Sequence, residues 1–340
     1  MNFGIPNKVI LFGGGKLLSL FLFILDKHGL ESLFVTSKRH AKEIVDGDLT
    51  LEEFLIKNKK KFIITNNIND KRIISEITDK TLGISSGAAW IFKPEFIDRF
   101  KGRLLNSHGS RLPQDRGAGD FSWRIMRREP ICAVLLHKID SGIDTGDIIK
   151  YEEYIFPSCR KPIDYQEYSR KKYLLFLDEF INEILEGKNF NCIKQQDSFS
   201  TYFPRLNTDT HGFINWDWTV EEIESFICAF DEPYKGASTF INDKRIWLKE
   251  CYLTESDGMF HPFQSGIIYR ITDYGLFVAA RGGSIVIKKV EDEKGNSMLE
   301  EIELGSRFHT PVEYLEKAKM FRAVYTPDGL LNEVKINNAK

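Results

Sequence analysis

Residues 104–119 read L-L-N-S-H-G-S-R-L-P-Q-D-R-G-A-G, and residues 131–149 read I-C-A-V-L-L-H-K-I-D-S-G-I-D-T-G-D-I-I. Each stretch begins with an apolar run typical of a buried strand and continues into a glycine-rich turn. The first run delivers Asn106 and His108 to its turn, and the second delivers Asp144. Functional side chains are commonly presented in this way, on loops that a rigid sheet positions. We therefore expect the fold to be organised around these two stretches.

The chain before residue 104 alternates short β-branched runs with helical patterns. Residues 8–12 (K-V-I-L-F) predict a strand, the glycines at residues 13–15 predict a tight turn, and K-L-L-S-L-F-L-F-I-L predicts a helix. Further strands are predicted at residues 32–36 and 82–85. The alternation predicts an α/β fold with a Rossmann-like, mostly parallel sheet, which binds ligands outside the carboxyl ends of its strands. We expect the three polar residues named above to follow such strand ends.

The three glycines before the first helix permit two interpretations. A helix N-terminus preceded by glycines can hold a phosphate or a carboxylate. However, G-G-G-K-L-L matches neither G-x-G-x-x-G nor the G-x-x-x-x-G-K-S/T loop. The residues alone disfavour a nicotinamide or ATP site, and they leave an anion site and a simple turn as alternatives.

The second half of the chain has a different pattern. Residues 165–186 predict an amphipathic helix, and residues 187–200 predict a polar linker. From residue 238 onward, short apolar runs recur between glycine turns, which predicts a small antiparallel, OB-like barrel. Residues 311–321 (P-V-E-Y-L-E-K-A-K-M-F) predict a further amphipathic helix.

The length of 340 residues exceeds what one hydrophobic core normally holds. We expect a catalytic domain at residues 1–195, a β-rich C-terminal domain at residues 196–305 and a helical tail at residues 306–340. A homodimer is compatible with a strand-rich second domain that carries such a tail.

The composition restricts the partners of the chain. Its 47 basic and 49 acidic residues are mixed along the sequence and give a net charge of -2. Nucleic-acid binders normally carry a basic excess, because neutralising phosphates supplies most of their non-specific affinity. The charge therefore disfavours nucleic acid as the partner.

The sequence predicts a cytoplasmic protein. No apolar run approaches the roughly 18 residues that a membrane span needs, and the opening M-N-F-G-I-P-N-K lacks a signal-peptide pattern. The five cysteines form no C-x-x-C pair, which favours reduced thiols over disulfides and predicts no metal site. They are Cys132, Cys159, Cys192, Cys228 and Cys251.

The residue types at the two strand ends suit acyl transfer to an amine. Asn106 and His108 are two apart on an extended segment, so their side chains share one face. An amide donor can stabilise a developing oxyanion while an imidazole moves a proton, and Asp144 can orient that imidazole. No serine or cysteine lies in a nucleophile-elbow pattern. Taken singly, a histidine at a strand end and a D-T-G turn are more often structural.

The full string N-x-H-G-S-x-L-P-x-x-R-G-A-G, followed by D-S-G-I-D-T-G-D-I, resembles the signature of formyltransferases that use N10-formyltetrahydrofolate. The resemblance continues in Y-F-P-R-L, I-N-W-D-W and D-E-P-Y-K-G-A, and covers most of residues 1–290. It implies that Asn106, His108 and Asp144 are catalytic. A neutral amine attacks the formyl carbon, Asn106 and His108 stabilise the oxyanion, His108 or a water removes the amine proton, and Asp144 tunes His108.

The same resemblance implies that the folate lies across the carboxyl edge of the sheet. The expected contacts lie in the segment that begins at the end of the predicted strand 82–85 and in the loop before Asp144. They are Ser85, Ser86, Gly87, Ala88, Trp90, Ile91, Phe92 and Asp140. Trp90 is equally expected as part of the core.

Smaller sequence differences between the branches of this family indicate the identity of the acceptor. The branch that formylates methionyl-tRNA typically has H-P-S-L-L-P, whereas this chain has H-G-S-R-L-P, and its R-G-A-G-D-F-S-W resembles the sugar N-formyltransferases. Those enzymes act on nucleotide-linked amino sugars, commonly a 4-amino-4,6-dideoxyhexose for bacterial surface polysaccharide. The alternatives are a formyltransferase for another amine, such as methionyl-tRNA, and a non-catalytic protein that binds sugar nucleotides.

A nucleoside diphosphate needs cations and a stacking surface. Arg205 is the expected phosphate ligand, with Lys16 as a second candidate. Tyr202, Phe203 and Tyr234 are expected against the base or in ordinary packing. One departure is Cys228, which stands in I-C-A-F where many relatives carry arginine.

Overall fold

The computed structural model describes residues 1–119, 121–157, 160–254 and 257–331. The strands in its N-terminal half are β1 (Lys8–Gly13), β2 (Glu31–Thr36), β3 (Ile44–Asp46), β4 (Leu49–Thr50), β5 (Phe62–Ile64), β6 (Thr81–Ser86), β7 (Leu104–His108), β8 (Arg116–Gly117), β9 (Ile131–Lys138) and β10 (Ile148–Ile155). The helices there are α1 (Gly15–Lys27), α2 (Leu51–Lys57), α3 (Lys71–Ile74), α4 (Pro94–Ile97), α5 (Phe121–Met126) and α6 (Pro162–Leu185).

Within the described residues, seven of these strands form one sheet in the order β10-β9-β7-β6-β1-β2-β5. The five strands from β7 to β5 are parallel, whereas β9 runs antiparallel to both of its neighbours. The predicted Rossmann-like, mostly parallel sheet is therefore confirmed.

Strand β1 lies inside the sheet and is buried on both faces, as its β-branched and aromatic run predicts. One face packs under α1, which contributes the buried side chains Leu18, Phe21, Leu22 and Leu25. On the other face, the ring of Phe12 meets the rings of Phe92, Phe96 and Phe100 edge-on, at centroid distances of 5.6, 5.8 and 5.9 Å. These two layers hold the carboxyl edge of the sheet in place.

The strand order reverses at β1. The chain runs from β1 to β2 and β5 on one side and then crosses to β6 on the other, which creates a crevice at the carboxyl edge. Gly13 ends β1 at this crevice with a φ of 136°, and a Cβ on it would lie 2.0 Å from the carbonyl oxygen of Ser86. Both the conformation and the close approach require glycine.

The C-terminal part contains β11 (Tyr202–Phe203), β12 (Ala237–Ile241), β13 (Lys244–Thr254), β14 (Ile268–Thr272), β15 (Gly275–Ala280) and β16 (Gly283–Glu291), with helices α7 (Thr208–His211) and α8 (Val220–Ala229). Among the described residues, β12 to β16 form an antiparallel sheet in the order β12-β13-β16-β15-β14. Arg307 bridges Ile267 beside β14, and His309 bridges Phe240 in β12. These bridges join the two edges of the sheet, as expected for a small barrel.

The tail differs from the expected helix over residues 306–340. Helix α9 (Val312–Met320) is present where P-V-E-Y-L-E-K-A-K-M predicts it, but β17 (Tyr325–Thr326) and β18 (Gly329–Leu330) then form a hairpin. Residues 327–329 read P-D-G, a turn signal that takes precedence over helical continuation. Residues 332–340 and Cys159 lie outside the described residues.

The structure also bears on the membrane and thiol expectations. In the ranges described above, no helix combines the length and the hydrophobicity that spanning a bilayer requires. Cys192, Cys228 and Cys251 are free thiols.

Replacing Gly13 by alanine should destabilise the fold much more than replacing Gly15 does. Both glycines have positive φ, 136° and 78°, but a Cβ on Gly15 would meet nothing within 4 Å. We expect G15A to lower the free energy of unfolding by about 1 kcal/mol and G13A by about 3 kcal/mol or more, because only G13A adds a steric clash. Urea unfolding monitored by circular dichroism measures both. Equal losses would show that Ser86 moves away freely.

Candidate active site

The end of β7 carries two polar side chains on one face. Asn106 and His108 alternate with the buried Ser107, and the pleat of the strand turns both toward the same side of the sheet. Asn106 is half-buried, and His108 is buried. The side chains therefore meet at the carboxyl edge, as the sequence spacing predicts.

His108 is fixed by the turn that follows its strand. Its Nε2 lies 3.0 Å from the carbonyl oxygen of Asp115, which can only accept a hydrogen bond. Nε2 therefore carries a proton and donates it. The other ring nitrogen, Nδ1, faces the Oδ2 atom of Asp144 at 3.8 Å. In the neutral ring, Nδ1 is the atom that can accept a proton.

Asp115 holds this turn through a buried ionic cluster that sequence reasoning missed. Its carboxylate is fully buried and accepts hydrogen bonds from Arg124 at 3.1 Å and from Arg127 at 2.8 Å. The guanidinium of Arg127 also lies 4.3 Å from the ring centroid of Phe203. The turn that sets the tautomer of His108 is thus tied to the segment expected to bind the acceptor.

Asp144 reaches the site by a different route from the one expected. It was expected after a parallel strand end, but β9 is antiparallel, so its following loop leaves at the level of Leu105. The loop then turns back. Asp144 adopts the left-handed conformation, with a φ of 54°, and its Oδ2 accepts a hydrogen bond from the backbone N–H of Gly117 at 2.9 Å.

A buried glutamine fixes the same loop from the other side. Gln195 donates from Nε2 to the carbonyl oxygens of Asp144 at 2.9 Å and of Gly146 at 2.7 Å. Its Oε1 accepts two hydrogen bonds from Arg116, at 2.9 and 3.1 Å. Arg116 belongs to the R-G-A-G motif, so the motif positions Asp144 as well as the turn. Gln195 lies in the predicted linker, where its composition gave no signal.

His137 is a further residue that the sequence interpretation missed. Its Nδ1 lies 2.7 Å from the carbonyl oxygen of Lys138, so Nδ1 donates. Its Nε2 lies 3.1 Å from Nδ2 of Asn106 and 3.4 Å from Oδ1 of Asp144. The only signal for it is strand register, because Asn106 pairs with His137 across β7 and β9. The sequence alone does not give that pairing.

The carboxylate of Asp144 is the negative centre of this group. Burial alone would raise its pKa, but the neighbouring imidazoles of His108 and His137 and the N–H of Gly117 oppose this. Together they hold the pKa of Asp144 well below its usual range. Asp144 is therefore ionised at neutral pH.

The arrangement can perform acyl transfer without a covalent intermediate. It supplies an amide donor on Asn106, an imidazole nitrogen on His108 and a fixed carboxylate on Asp144. The Nδ2 atom of Asn106 is 3.3 Å from Oδ1 of Asp144. This is a long contact, which a stronger acceptor such as an oxyanion can replace.

The segment expected to contact the folate contains buried and exposed side chains. Ser85 and Ser86 end β6 at the crevice, and Gly87 and Ala88 follow them. Trp90 and Phe92 are buried in the core cluster, and Trp90 donates from Nε1 to the carbonyl oxygen of Asn66 at 3.1 Å. Core packing therefore accounts for the side chain of Trp90. Ile91, by contrast, is 84% exposed.

The last expected folate residue, Asp140, shapes the catalytic loop. Its Oδ1 accepts hydrogen bonds from the backbone N–H of Gly142 at 3.1 Å and from the hydroxyl of Thr145 at 2.5 Å. These bonds fold the loop that carries Asp144.

The residues expected at the acceptor lie in different places. Lys16 is exposed in the first turn of α1, beside the glycines. Tyr202 and Arg205 are exposed, whereas Phe203 is buried under Arg127. Tyr234 lies in the turn after α8. This turn contacts the start of α6 through an ion pair between Asp231 and Lys161 at 3.7 Å.

A buried histidine beside the glycines adds a basic group that the sequence did not predict. The ring of His40 packs against Gly14, and its Nε2 accepts a hydrogen bond from Arg39 at 2.6 Å. The proton of the neutral ring is therefore on Nδ1, which is buried and has no hydrogen-bond partner among the described residues. Burial, with the charges of Arg39 and Arg205, lowers the pKa of His40 to about 4. An unsatisfied donor at this position suits an anionic ligand.

The C-terminal part has a recognisable relative. Residues 207–302 match the family model described as "Formyl transferase, C-terminal domain". Over 254 residues, the chain is 26% identical to the methionyl-tRNA formyltransferase of Ruminiclostridium cellulolyticum, covering 73% of this chain and 79% of that protein.

Solved structures share the fold over most of the chain. WlaRD, a sugar 3N-formyl transferase solved in the presence of dTDP and 5-N-formyl-THF, has a TM-score of 0.63 at 22% identity and covers 84% of this chain and 98% of its own. An N-formyltransferase from Helicobacter canadensis, solved with folinic acid and dTDP-3-aminofucose, has a TM-score of 0.62 at 20% identity, with coverages of 84% and 99%.

The protein is therefore a Rossmann-like α/β chain with a formyl transferase C-terminal domain. More particularly, the chain is similar to formyltransferases in sequence and in fold, which confirms the resemblance seen in its sequence. The relatives support formyl transfer as the activity. They differ in acceptor, since by name one group acts on methionyl-tRNA and the other on sugars.

Acidification should lower the free energy of unfolding, because His40 is buried in its neutral form. Its pKa is about 4 in the folded chain and 6.5 ordinarily, so between these values the unfolded chain binds a proton that the folded chain does not. Stability is therefore lost as the pH falls from 6.5 to 4. We expect the wild type to lose about 2 kcal/mol more than H40Q over this window. Urea unfolding of both proteins at several pH values measures the difference, and parallel pH profiles would contradict the assignment.

Proposed function

We propose that the chain transfers a formyl group from N10-formyltetrahydrofolate to the amine of a nucleotide-linked amino sugar, a 4-amino-4,6-dideoxyhexose used for bacterial surface polysaccharide. The observation that carries the proposal is the meeting of Asn106, His108 and Asp144 at the carboxyl edge, next to a basic crevice at Gly14. The proposed catalytic domain is residues 1–195.

The folate cofactor supplies an activated formyl group, and the residues at the edge suit its binding. Gly87 has a φ of 58°, and a Cβ there would meet nothing within 4 Å, so backbone groups of the segment from Ser85 to Ala88 are open to a ligand. Ile91 and Ile143 are exposed apolar side chains, 84% and 54%, on the two segments expected to flank the ligand. Exposed apolar groups of this kind favour a flat aromatic ligand.

The chemical step follows from the positions of the polar atoms. The lone pair of the acceptor amine forms a bond to the formyl carbon, and the carbonyl oxygen becomes an oxyanion that Nδ2 of Asn106 stabilises. Nδ1 of His108 accepts the proton that the amine releases, and Asp144 stabilises the resulting imidazolium. His108 then returns the proton to the departing nitrogen as its bond to the formyl carbon breaks, which restores the neutral ring.

His137 completes the proposed site as a positioning residue. Its Nε2 accepts from Nδ2 of Asn106 and so holds the amide with its nitrogen toward the catalytic group. The amide then presents a donor to the oxyanion, whereas a flipped amide would present an acceptor and repel it.

The acceptor's diphosphate fits the basic crevice at the end of β1. Lys16 and Arg205 supply charge, and Nδ1 of His40 supplies a buried donor without a partner among the described residues. The helix N-terminus of α1 adds its positive polarisation. Tyr202 and Tyr234 remain the candidates for contact with the base.

The choice of acceptor rests on three observations. The net charge of -2 and the H-G-S-R-L-P motif favour a small nucleotide over tRNA. In addition, the N-formyltransferase from Helicobacter canadensis, which shares this fold, was solved with dTDP-3-aminofucose. Methionyl-tRNA remains the second candidate, because the curated relatives carry that name.

Alanine at either catalytic position should abolish most of the activity without unfolding the protein. We expect N106A and H108A each to lower kcat about 100-fold or more, because each removes a group that acts on the transition state. The free energy of unfolding should change little, since neither side chain lies in the hydrophobic core. H309A, an exposed histidine in the C-terminal part, is the matched control. A wild-type kcat in both variants would contradict the proposed mechanism.

A mass-spectrometric screen of acceptors tests the function itself. The purified protein is incubated with N10-formyltetrahydrofolate and with dTDP-, UDP- and GDP-linked amino sugars, or with methionyl-tRNA. We expect a mass gain of one formyl group on a nucleotide amino sugar. Turnover of methionyl-tRNA alone would replace the proposal with the second candidate, and no turnover of any amine would favour a non-catalytic binding protein.

A further inference from the structure

The segment from Phe321 to Leu331 returns from the C-terminal part to the catalytic sheet. After α9, the backbone N–H of Leu331 donates to the carbonyl oxygen of Val324 at 2.9 Å, which closes the β17–β18 hairpin. This segment lies beyond residue 302, where the match to the formyl transferase C-terminal domain ends. It therefore belongs to a part of the chain that the family match does not explain.

Two contacts fix the beginning of this segment. Nε2 of His211 lies 3.1 Å from the carbonyl oxygen of Phe321, and the two rings are 5.4 Å apart. The hydroxyl of Tyr325 accepts a hydrogen bond from Nδ2 of Asn207 at 3.4 Å. Both partners follow directly after the Y-F-P-R-L motif, so the hairpin packs on the proposed acceptor segment.

The tip of the hairpin contacts the catalytic sheet. Asp328 accepts a hydrogen bond from Nδ2 of Asn66, which lies just after β5. Asn66 in turn accepts from the backbone N–H of Lys38 at 3.1 Å, and its carbonyl oxygen accepts from Trp90 at 3.1 Å. The hairpin is therefore hydrogen-bonded to the loop after β5 and is linked, through Asn66, to the loops after β2 and β6. These loops lie at the edge where the proposed ligands bind.

Tyr325 also contacts the cation proposed to bind phosphate. The guanidinium of Arg205 lies 5.6 Å from the ring centroid of Tyr325. Across the described residues, no carboxylate forms an ion pair with Arg205, although it is close enough to His40 to lower the pKa of that ring. A guanidinium held by an aromatic face keeps its N–H donors free for an anion.

We infer that the segment from Phe321 to Leu331 forms the outer wall of the acceptor site, and that Tyr325 positions Arg205 toward the diphosphate of the acceptor. This inference rests on the proposed function for the identity of the acceptor, and it assigns a specificity role to a region outside the matched domain. Arg205 is close enough to His40 for its charge to act on that ring, and the hairpin contacts both Arg205, through Tyr325, and Asn66, through Asp328.

Nucleotide binding tests this role directly. Isothermal titration calorimetry with dTDP, UDP and GDP compares the wild type with Y325A, Y325F and D328A. We expect Y325A to raise the Kd of the preferred nucleotide about 10-fold, which is the range of a cation–π contact that orients a charge. Y325F retains the ring and should bind within about twofold of the wild type, as should the matched control Y274A, an exposed tyrosine in the C-terminal part.

Truncation provides a second, independent test. A chain ending at Ala323 removes the hairpin, and a chain ending at Leu331 retains it. We expect only the shorter chain to lose nucleotide affinity, while both keep the affinity for formyltetrahydrofolate and the urea unfolding curve of the wild type. If both truncated chains and Y325A bind nucleotide like the wild type, or if the wild type binds none of the three nucleotides, the inference is wrong. Nucleotide binding without formyl transfer would contradict the proposed function, but it would not contradict the role inferred for the segment from Phe321 to Leu331.

Discussion

The buried carboxylate of Asp144 is the constraint on which the site depends. A charge that is largely removed from water must be compensated, and here the compensation comes from the N–H of Gly117 and from two histidines. Each of these partners belongs to a different segment of the chain. Satisfying this one carboxylate therefore brings together the turn after β7, the end of β9 and the loop that carries Asp144.

Much of the fold could be predicted from local pattern. Strand β1, the turn that follows Gly13 and the turn after β7 were predictable from β-branched runs and glycines. The sheet is mostly parallel, as the alternation of strands and helices indicates. The direction of β9 could not be predicted, because a strand that follows a short helix can pair either way. The hairpin at Tyr325 was missed for a similar reason, since short strands have too few residues to show a period.

The candidate site was predictable where function depends on residue type and spacing, as for Asn106 and His108. It was not predictable where function depends on register or on a distant partner. His137 is recognised only through its pairing with Asn106, and Asp115 only through its buried arginines. Gln195, in a segment that looks like a linker, contributes two hydrogen bonds to the catalytic loop. Polar residues that position other residues carry little local signal.

The bond between Asn66 and Asp328 has a consequence for how the protein is made. During synthesis from the N-terminus, the sheet that contains Asn66 can fold long before Asp328 leaves the ribosome. The sheet then lacks its contact with the β17–β18 hairpin until Asp328 docks against Asn66. A chain that ends before Asp328 would carry Asn106, His108 and Asp144 without that contact.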